Sequence, residues 1–203
     1  MGMRASEKSM GPYKQQEEKG MIDRAGIRWT VSMGIVIALG LLFATHVSAT
    51  PGTHSEPRWL LPSQGAYPDI KGDHSVWLRV SIPLQRVFVM SGNRRLYAMV
   101  ASTGIDNPAD DATPRGVYHI QRERGLFFYA PSEHEGAHYW VSWKNHGEYL
   151  FHTVPTDRQG RIIAAEARKL GVKASHGCIR LSVPDAKWIY ENIPYGTRVV
   201  IGE

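Results

Sequence analysis

The chain has 203 residues, of which 42% are hydrophobic, 10% aromatic and 21% charged, with a formal net charge of +5 at pH 7. This length accommodates one domain plus an appendage, and the composition excludes a disordered chain. The single cysteine excludes an intrachain disulfide framework and a cysteine-rich zinc finger. The modest positive charge does not indicate nucleic acid as a partner.

The N-terminal segment is predicted to direct or anchor the chain at a membrane. Residues 1–28 are polar and mixed in charge, as in a cytoplasmic leader, and Trp29 to Thr45 contains no charged residue. A helix over that stretch would be roughly 25 Å long, close to the ~30 Å hydrocarbon core. Small residues at positions 47 and 49 have the spacing of a signal-peptidase site.

We therefore expect residues 29–49 to be a cleaved signal peptide or a retained membrane anchor. An internal core helix is the alternative, but the segment has no amphipathic period. Arg24 and Arg28 precede the apolar run, a bias that keeps the N-terminus in the cytoplasm. Both membrane interpretations predict that the remaining chain is exported to the cell envelope.

The remaining chain is predicted to be mainly β. Residues 50–74 are interpreted as a linker, since they are rich in Pro and Gly in their first part and have no period. Strands are predicted from their β-branched and aromatic content or alternation over 76–82, 86–90, 95–102, 116–122, 137–143, 149–154 and 197–201. Short helices are predicted over 162–170 and 183–193, the second capped by Ser182. This pattern indicates a curled sheet or sandwich over residues 75–203, with one or two short helices.

The lone cysteine lies in the run Ser175-His176-Gly177-Cys178-Ile179-Arg180. A thiol is a nucleophile only as a thiolate, so it needs a base or a positive charge close by. His152, at the end of a predicted strand, is the preferred candidate for a general base. His146 is a weaker candidate, because its sequence context is that of a turn.

These residues resemble the catalytic domain of the L,D-transpeptidase family (YkuD-like). The resemblance rests on the Ser-His-Gly-Cys-Ile-Arg run, the upstream His152, and the Ser102-Thr103-Gly104 and Thr113-Pro114-Arg115-Gly116 segments. It extends over roughly residues 75–203. One departure is the 22-residue interval between His152 and Ser175, whose excess we assign to a short helix or flap over 157–170.

The resemblance implies a role for each motif residue. Cys178 would be the nucleophile and His152 the general base, oriented by the carbonyl of Thr153. His176 and Gly177 would shape an oxyanion pocket together with the Cys178 amide. Ser175 and Arg180 would support the loop or bind the substrate.

The implied reaction is acyl transfer on stem peptides of peptidoglycan. The thiolate would attack the carbonyl before a terminal D-Ala, release D-Ala and leave a thioester. An amine of a second stem peptide would then form a 3→3 cross-link, whereas water would give L,D-carboxypeptidase activity. No step requires a cofactor or a metal.

Other interpretations of the same residues remain open at this point. A lone cysteine can be a buried, inert side chain, and His152, His176 and Cys178 include ligand types that zinc accepts. The protein could also be a non-catalytic module that binds the cell wall. Exposed loop positions are expected for His134 and His138, and sheet core or rim positions for Tyr139, Trp140 and Trp143.

Overall fold

The structure is a computed structural model that describes residues 55–107 and 111–203. The strands are β1 (Val76–Ser81), β2 (Arg86–Ser91), β3 (Arg94–Ser102), β4 (Gly116–His119), β5 (Arg124–Ala130), β6 (Glu135–Lys144), β7 (Tyr149–Thr153), β8 (Ile179–Leu181) and β9 (Arg198–Gly202). The α-helices are α1 (Ala164–Ala167) and α2 (Val183–Asn192), and a short 3₁₀ helix covers Arg58–Leu60. The predicted leader and apolar segment lie outside the described residues. Within the described ranges, no helix is long and apolar enough to span a membrane.

The strands form one sheet of nine strands in the order β4-β9-β1-β2-β3-β8-β7-β6-β5. Most neighbours are antiparallel, whereas β1 pairs with β9 and β7 pairs with β8 in parallel. The sheet curls so that its distant parts meet. The ring of Tyr118 packs against that of Trp143 at 4.9 Å, and the Gln121 amide donates to the Ser142 carbonyl at 2.8 Å. The mainly-β curled sheet expected from the sequence is therefore confirmed.

Helix α2 begins where its sequence signals predict. The Ser182 side chain accepts a hydrogen bond from the Asp185 amide, and Pro184 lies in the first turn. Ala186 and Ile189 face the core, where they are buried with Val80, Met99, Phe151, Ile179 and Ile201. The helix thus covers one face of the sheet next to β6 and β7.

Two strands, β5 and β8, lie outside the ranges predicted to be strands. Both faces of β5 are partly exposed, and Leu126 is 61% and Phe127 39% accessible. Because this edge strand buries neither face, its sequence lacks the alternation that identifies a strand. Helix α1 is shorter than predicted, since Ile162 pairs with Thr156 in a β-bridge instead of starting the helix.

The segment interpreted as a linker packs on the domain from residue 58 to residue 70, and we call these residues the strap. The Ser63 hydroxyl donates to the Asp185 carboxylate at 2.5 Å, and the Tyr67 hydroxyl donates to the same carboxylate at 2.7 Å. Asp185 is fully buried, so these two donors satisfy a charge that has no contact with water.

The strap also covers the part of β3 that pairs with β2 on one side but has no partner on the side of β8. β8 pairs only with Ala101 and Ser102 of β3. The Val100 amide instead donates to the Ser63 hydroxyl at 2.7 Å, and the Ala98 amide donates to the side-chain oxygen of Gln64 at 2.9 Å. Strap side chains therefore replace a missing strand at this edge.

Candidate active site

Parallel pairing of β7 with β8 brings the predicted nucleophile and base together. In this register His152 lies beside Arg180 and Phe151 beside Ile179. Cys178 precedes Arg180 by two residues, so both side chains point to the same face of the sheet as His152. All three side chains line one cavity of about 190 Å³. Its other lining residues are Phe128, Ala130, Glu133, Glu135, Gly136, Glu148, Leu150, Ser175 and His176.

The orientation of His152 is determined by a backbone carbonyl. Its Nδ1 lies 2.7 Å from the Thr153 oxygen. A carbonyl can only accept, so Nδ1 carries the proton and Nε2 keeps a free lone pair. The Phe128 ring contacts the imidazole edge to face at 5.6 Å. Burial, together with the positive charge of Arg180, lowers the pKa of His152 from 6.5 to about 3. The imidazole is therefore neutral at pH 7.

The Cys178 sulfur lies against the first residues of β7 and the turn before it. The Leu150 amide donates to Sγ at 3.4 Å, and the thiol donates to the Glu148 carbonyl at 3.5 Å. Burial raises the pKa of the Cys178 thiol from 9.0 to about 11. The resting site thus contains a neutral thiol and a neutral imidazole, and a thiolate forms only when a base removes the proton.

The loop before Cys178 is held by Ser175. Its hydroxyl donates to the Cys178 carbonyl at 2.5 Å and accepts from the Gly177 amide at 3.2 Å. Gly177 has a φ of +107°, and a β-carbon there would lie 2.8 Å from the Tyr149 ring. In the described parts of the chain, the amides of His176 and Cys178 donate to no other group, which leaves both free to face an anion.

The two upstream segments of the family resemblance support this loop. The Thr113 hydroxyl donates to the Gly177 carbonyl at 2.9 Å and accepts from the Gly104 amide at 2.8 Å. The Thr103 carbonyl accepts from the amides of Ala174 and Ser175. Sequence reasoning recorded these segments as a signature but did not assign Thr113 this structural role, because the contact joins residues far apart in the chain.

Arg180 forms ion pairs with two glutamates of the protein. Its guanidinium pairs with Glu135 at 2.7 Å and Glu166 at 3.2 Å, and the residue is 4% exposed. Glu166 belongs to α1, so the interval between His152 and Ser175 contributes a short helix that neutralises Arg180. No residue from 157 to 170 lines the cavity, and part of this segment forms the short helix α1. Ser175 contacts the loop residues Gly177 and Cys178, whereas Arg180 contacts β6 through Glu135 and α1 through Glu166.

Of the remaining candidate histidines, His176 lines the cavity, whereas His146 and His138 do not. His176 is half exposed, with Nδ1 3.4 Å from Glu133. His146 pairs with Glu123 at 2.8 Å and does not line the cavity. His134 lies in an exposed turn, as expected. The same expectation is wrong for His138, which lies in β6 and is partly buried because its ring nitrogens face the carbonyls of Leu126 and Gly160.

The alternative interpretations of the ligand-type and aromatic side chains can also be compared with the structure. Among residues 55–107 and 111–203, no group of three or more His, Cys, Asp or Glu side chains is arranged to hold a metal ion. Trp143 is buried in the core, and Tyr139 and Trp140 are partly buried at the sheet rim, as expected.

The family model described as the L,D-transpeptidase catalytic domain, YkuD, matches residues 75–201. The chain belongs to the L,D-transpeptidase family. Membership places it in an enzyme class that acts on peptidoglycan peptides, and thereby indicates a function at the cell envelope.

Individual relatives agree with this membership. The chain is 54% identical over 143 residues to the protein named "Putative L,D-transpeptidase YciB" of Bacillus subtilis (strain 168), covering 70% of this chain and 73% of that protein. An L,D-transpeptidase from Mycobacterium smegmatis shares the fold, with a TM-score of 0.51 and 21% identity over 63% of this chain. The LD transpeptidase LdtMt1, solved in complex with imipenem, also shares the fold, with a TM-score of 0.50 and 22% identity over 63% of this chain. The chain spans 58% of each of these two solved chains.

Proposed function

We propose that this L,D-transpeptidase is a cysteine acyltransferase that forms 3→3 cross-links between peptidoglycan stem peptides. The observation that carries the proposal is that Cys178 and His152 line one cavity while the Thr153 carbonyl holds Nδ1 of His152. This arrangement leaves the Nε2 lone pair of a neutral imidazole as the base for a neutral thiol.

In the first half-reaction, His152 takes the proton of Cys178 as the sulfur attacks the carbonyl that precedes the terminal D-Ala. The amides of Cys178 and His176, which have no other acceptor in the described residues, stabilise the oxyanion. The Gly177 amide is engaged by Ser175, so Gly177 contributes its left-handed backbone instead. The C–N bond breaks, His152 protonates the departing amine of D-Ala, and a thioester remains.

In the second half-reaction, an amine of another stem peptide attacks the thioester. The C–N bond forms, the C–S bond breaks, and the amine proton passes through His152 to the sulfur. Water in place of the amine would release the tripeptide, which is L,D-carboxypeptidase activity. The neutral resting pair matches this cycle, because His152 must be free of a proton at the start of each half-reaction.

The exported location is part of the same proposal. Peptidoglycan stem peptides lie outside the cytoplasm, and the apolar segment 29–49 would carry the domain there as a signal peptide or a membrane anchor. A retained anchor would keep the enzyme at the membrane, whereas cleavage of a signal peptide would release it.

Product analysis with the full chain tests the reaction. Wild type incubated with a stem tetrapeptide should release D-Ala and yield a cross-linked dimer detected by mass spectrometry. Cys178→Ala should abolish both products, and His152→Gln should slow D-Ala release by about 10²–10⁴-fold. His74→Gln, at an exposed position that does not line the cavity, is the matched control and should retain wild-type rates.

The products also separate the alternatives. D-Ala release with tripeptide and no dimer would identify a carboxypeptidase. A wild type that binds the tetrapeptide without releasing D-Ala would be a binding module, and the proposal would be wrong.

A further inference from the structure

Glu148 forms part of the wall around the nucleophilic sulfur. Its carbonyl oxygen lies 3.5 Å from the Cys178 sulfur, and the amide two residues later, that of Leu150, lies 3.4 Å from the same sulfur. Glu148 lines the cavity and its side chain is exposed to solvent. A group that approaches the sulfur from this side therefore passes Glu148.

The turn that carries Glu148 has an unusual and well-supported conformation. Asn145, His146 and Gly147 all have positive φ, at 54°, 49° and 107°. The His146 amide donates to the side chain of Gln121 at 2.9 Å, and the Gly147 amide donates to the hydroxyl of Ser142 at 2.9 Å. These contacts fix the turn and hence the position at which β7 begins.

The carboxylate of Glu148 is not neutralised by a cation. It accepts a hydrogen bond from the neutral amide of Asn145 at 2.7 Å, and in the described ranges no Lys, Arg or His lies within ion-pair distance. By contrast, Glu135 and Glu166 share Arg180. The Glu148 charge also opposes thiolate formation, since it contributes to the raised pKa of Cys178. Burial is the main cause of that raised pKa, and the Glu148 carboxylate adds to it, which is unfavourable for the first half-reaction.

We propose that Glu148 determines acceptor specificity by binding the ammonium form of the incoming amine beside the thioester. This inference rests on the proposed function, because it names the residue that selects the nucleophile of the second half-reaction. The thioester carbon is bonded to Sγ, so the attacking nitrogen must arrive next to the sulfur, in the cavity whose wall includes Glu148. An unpaired carboxylate attracts a primary ammonium and gives no such advantage to water or to a neutral nucleophile.

The reaction balances with this assignment. The ammonium held at Glu148 releases one proton to solvent, and the neutral nitrogen then forms the C–N bond as the C–S bond breaks. The second proton of the nitrogen passes through His152 to the Cys178 sulfur. Glu148 acts as a binding group and takes no part in the proton transfers.

The test measures how the acyl-enzyme of the full chain partitions between aminolysis and hydrolysis. The acyl donor is a synthetic stem tetrapeptide, and the two acceptors are Nα-acetyl-lysine methylamide, which is cationic at pH 7.5, and hydroxylamine, which is neutral there. Glu148→Gln removes one exposed charge. In this variant, the concentration of the cationic amine needed for half-maximal aminolysis should rise by about threefold to fivefold. The hydroxylamine partition should not change. Added salt should weaken cationic amine use in wild type and have little effect in the variant.

Glu191→Gln, an exposed carboxylate on α2 that pairs with Lys187, is the matched control and should partition as wild type does. Glu133→Gln removes the other exposed carboxylate of the cavity and should have a smaller effect than Glu148→Gln. An equal shift for both acceptors, a larger effect of Glu133→Gln, or no shift at all would overturn the inference. Failure of the wild type to form an acyl-enzyme would instead contradict the proposed function.

Discussion

His152 differs from an ordinary surface histidine in both its environment and its expected titration. It is 6% exposed and lies near the Arg180 guanidinium, and both features disfavour the imidazolium form. Because its pKa is lowered to about 3, the base stays neutral well below the ordinary value of 6.5. If His152 is the base, as proposed, the acid limb of the reaction is therefore expected well below pH 6.5.

This titration predicts the pH profile of acylation by imipenem. Between pH 7 and pH 5 the second-order rate constant should change by less than about twofold, since His152 remains unprotonated. A base with an ordinary pKa would lose more than about tenfold over the same range. Stopped-flow fluorescence or intact-mass time courses give the rate, and a limb centred near pH 6.5 would contradict the assignment.

At the scale of an element, the loop before β8 depends on the backbone of Gly177. Its φ of +107° and the 2.8 Å approach to the Tyr149 ring both exclude a side chain. We expect Gly177→Ala to lower the free energy of unfolding by about 3 kcal/mol and to slow acylation, because the Cys178 amide would move. Urea unfolding and the imipenem rate measure the two effects.

Gly196→Ala is the matched control for that substitution. Gly196 also has a positive φ, +82°, but a β-carbon there would meet no atom within 4 Å. Its expected cost is about 1 kcal/mol from the backbone alone, with no change in acylation. Equal stability and equal acylation in the two variants would show that the close approach to Tyr149 has no consequence.

Some elements of the fold can be predicted from the sequence and others cannot. Helix α2 is predictable because Ser182, Pro184 and Asp185 act locally, within one turn. Strand β5 is not, because an edge strand with two partly exposed faces leaves no alternating pattern. The strap was interpreted as a linker for a related reason, since its contacts run through side-chain hydrogen bonds to residues more than thirty positions away.

At the scale of the whole molecule, the strap joins the N-terminal part of the chain to the catalytic domain. Ser63 contacts both the buried Asp185 of α2 and the Val100 amide of β3. Ser63→Ala should lower the free energy of unfolding by about 1–3 kcal/mol, because it leaves one buried donor and one buried charge less satisfied.

Chemical unfolding of the full chain, followed by tryptophan fluorescence, measures this effect. Ser132→Ala, in the exposed turn before β6, should change the free energy of unfolding by less than about 0.5 kcal/mol. If Ser63→Ala is as stable as this control, the strap does not contribute to the stability of the domain.

The candidate site was largely predictable, because its residues are concentrated in one specific run and one upstream strand. Cys178, His152 and Ser175 could be named from the sequence, whereas the contacts of Thr113 and Glu148 could not. Those contacts depend on the parallel pairing of β7 with β8 and on how the turn before β7 is held. The engagement of Arg180 by two glutamates likewise depends on the position of α1.

The most direct test of the account is the intact mass of the full chain after incubation with imipenem. We expect one adduct per chain, mapped by peptide analysis to the segment that contains Cys178 and absent from a folded Cys178→Ala variant. An unmodified wild type, or an adduct that persists in Cys178→Ala, would contradict the assignment of Cys178 as the nucleophile.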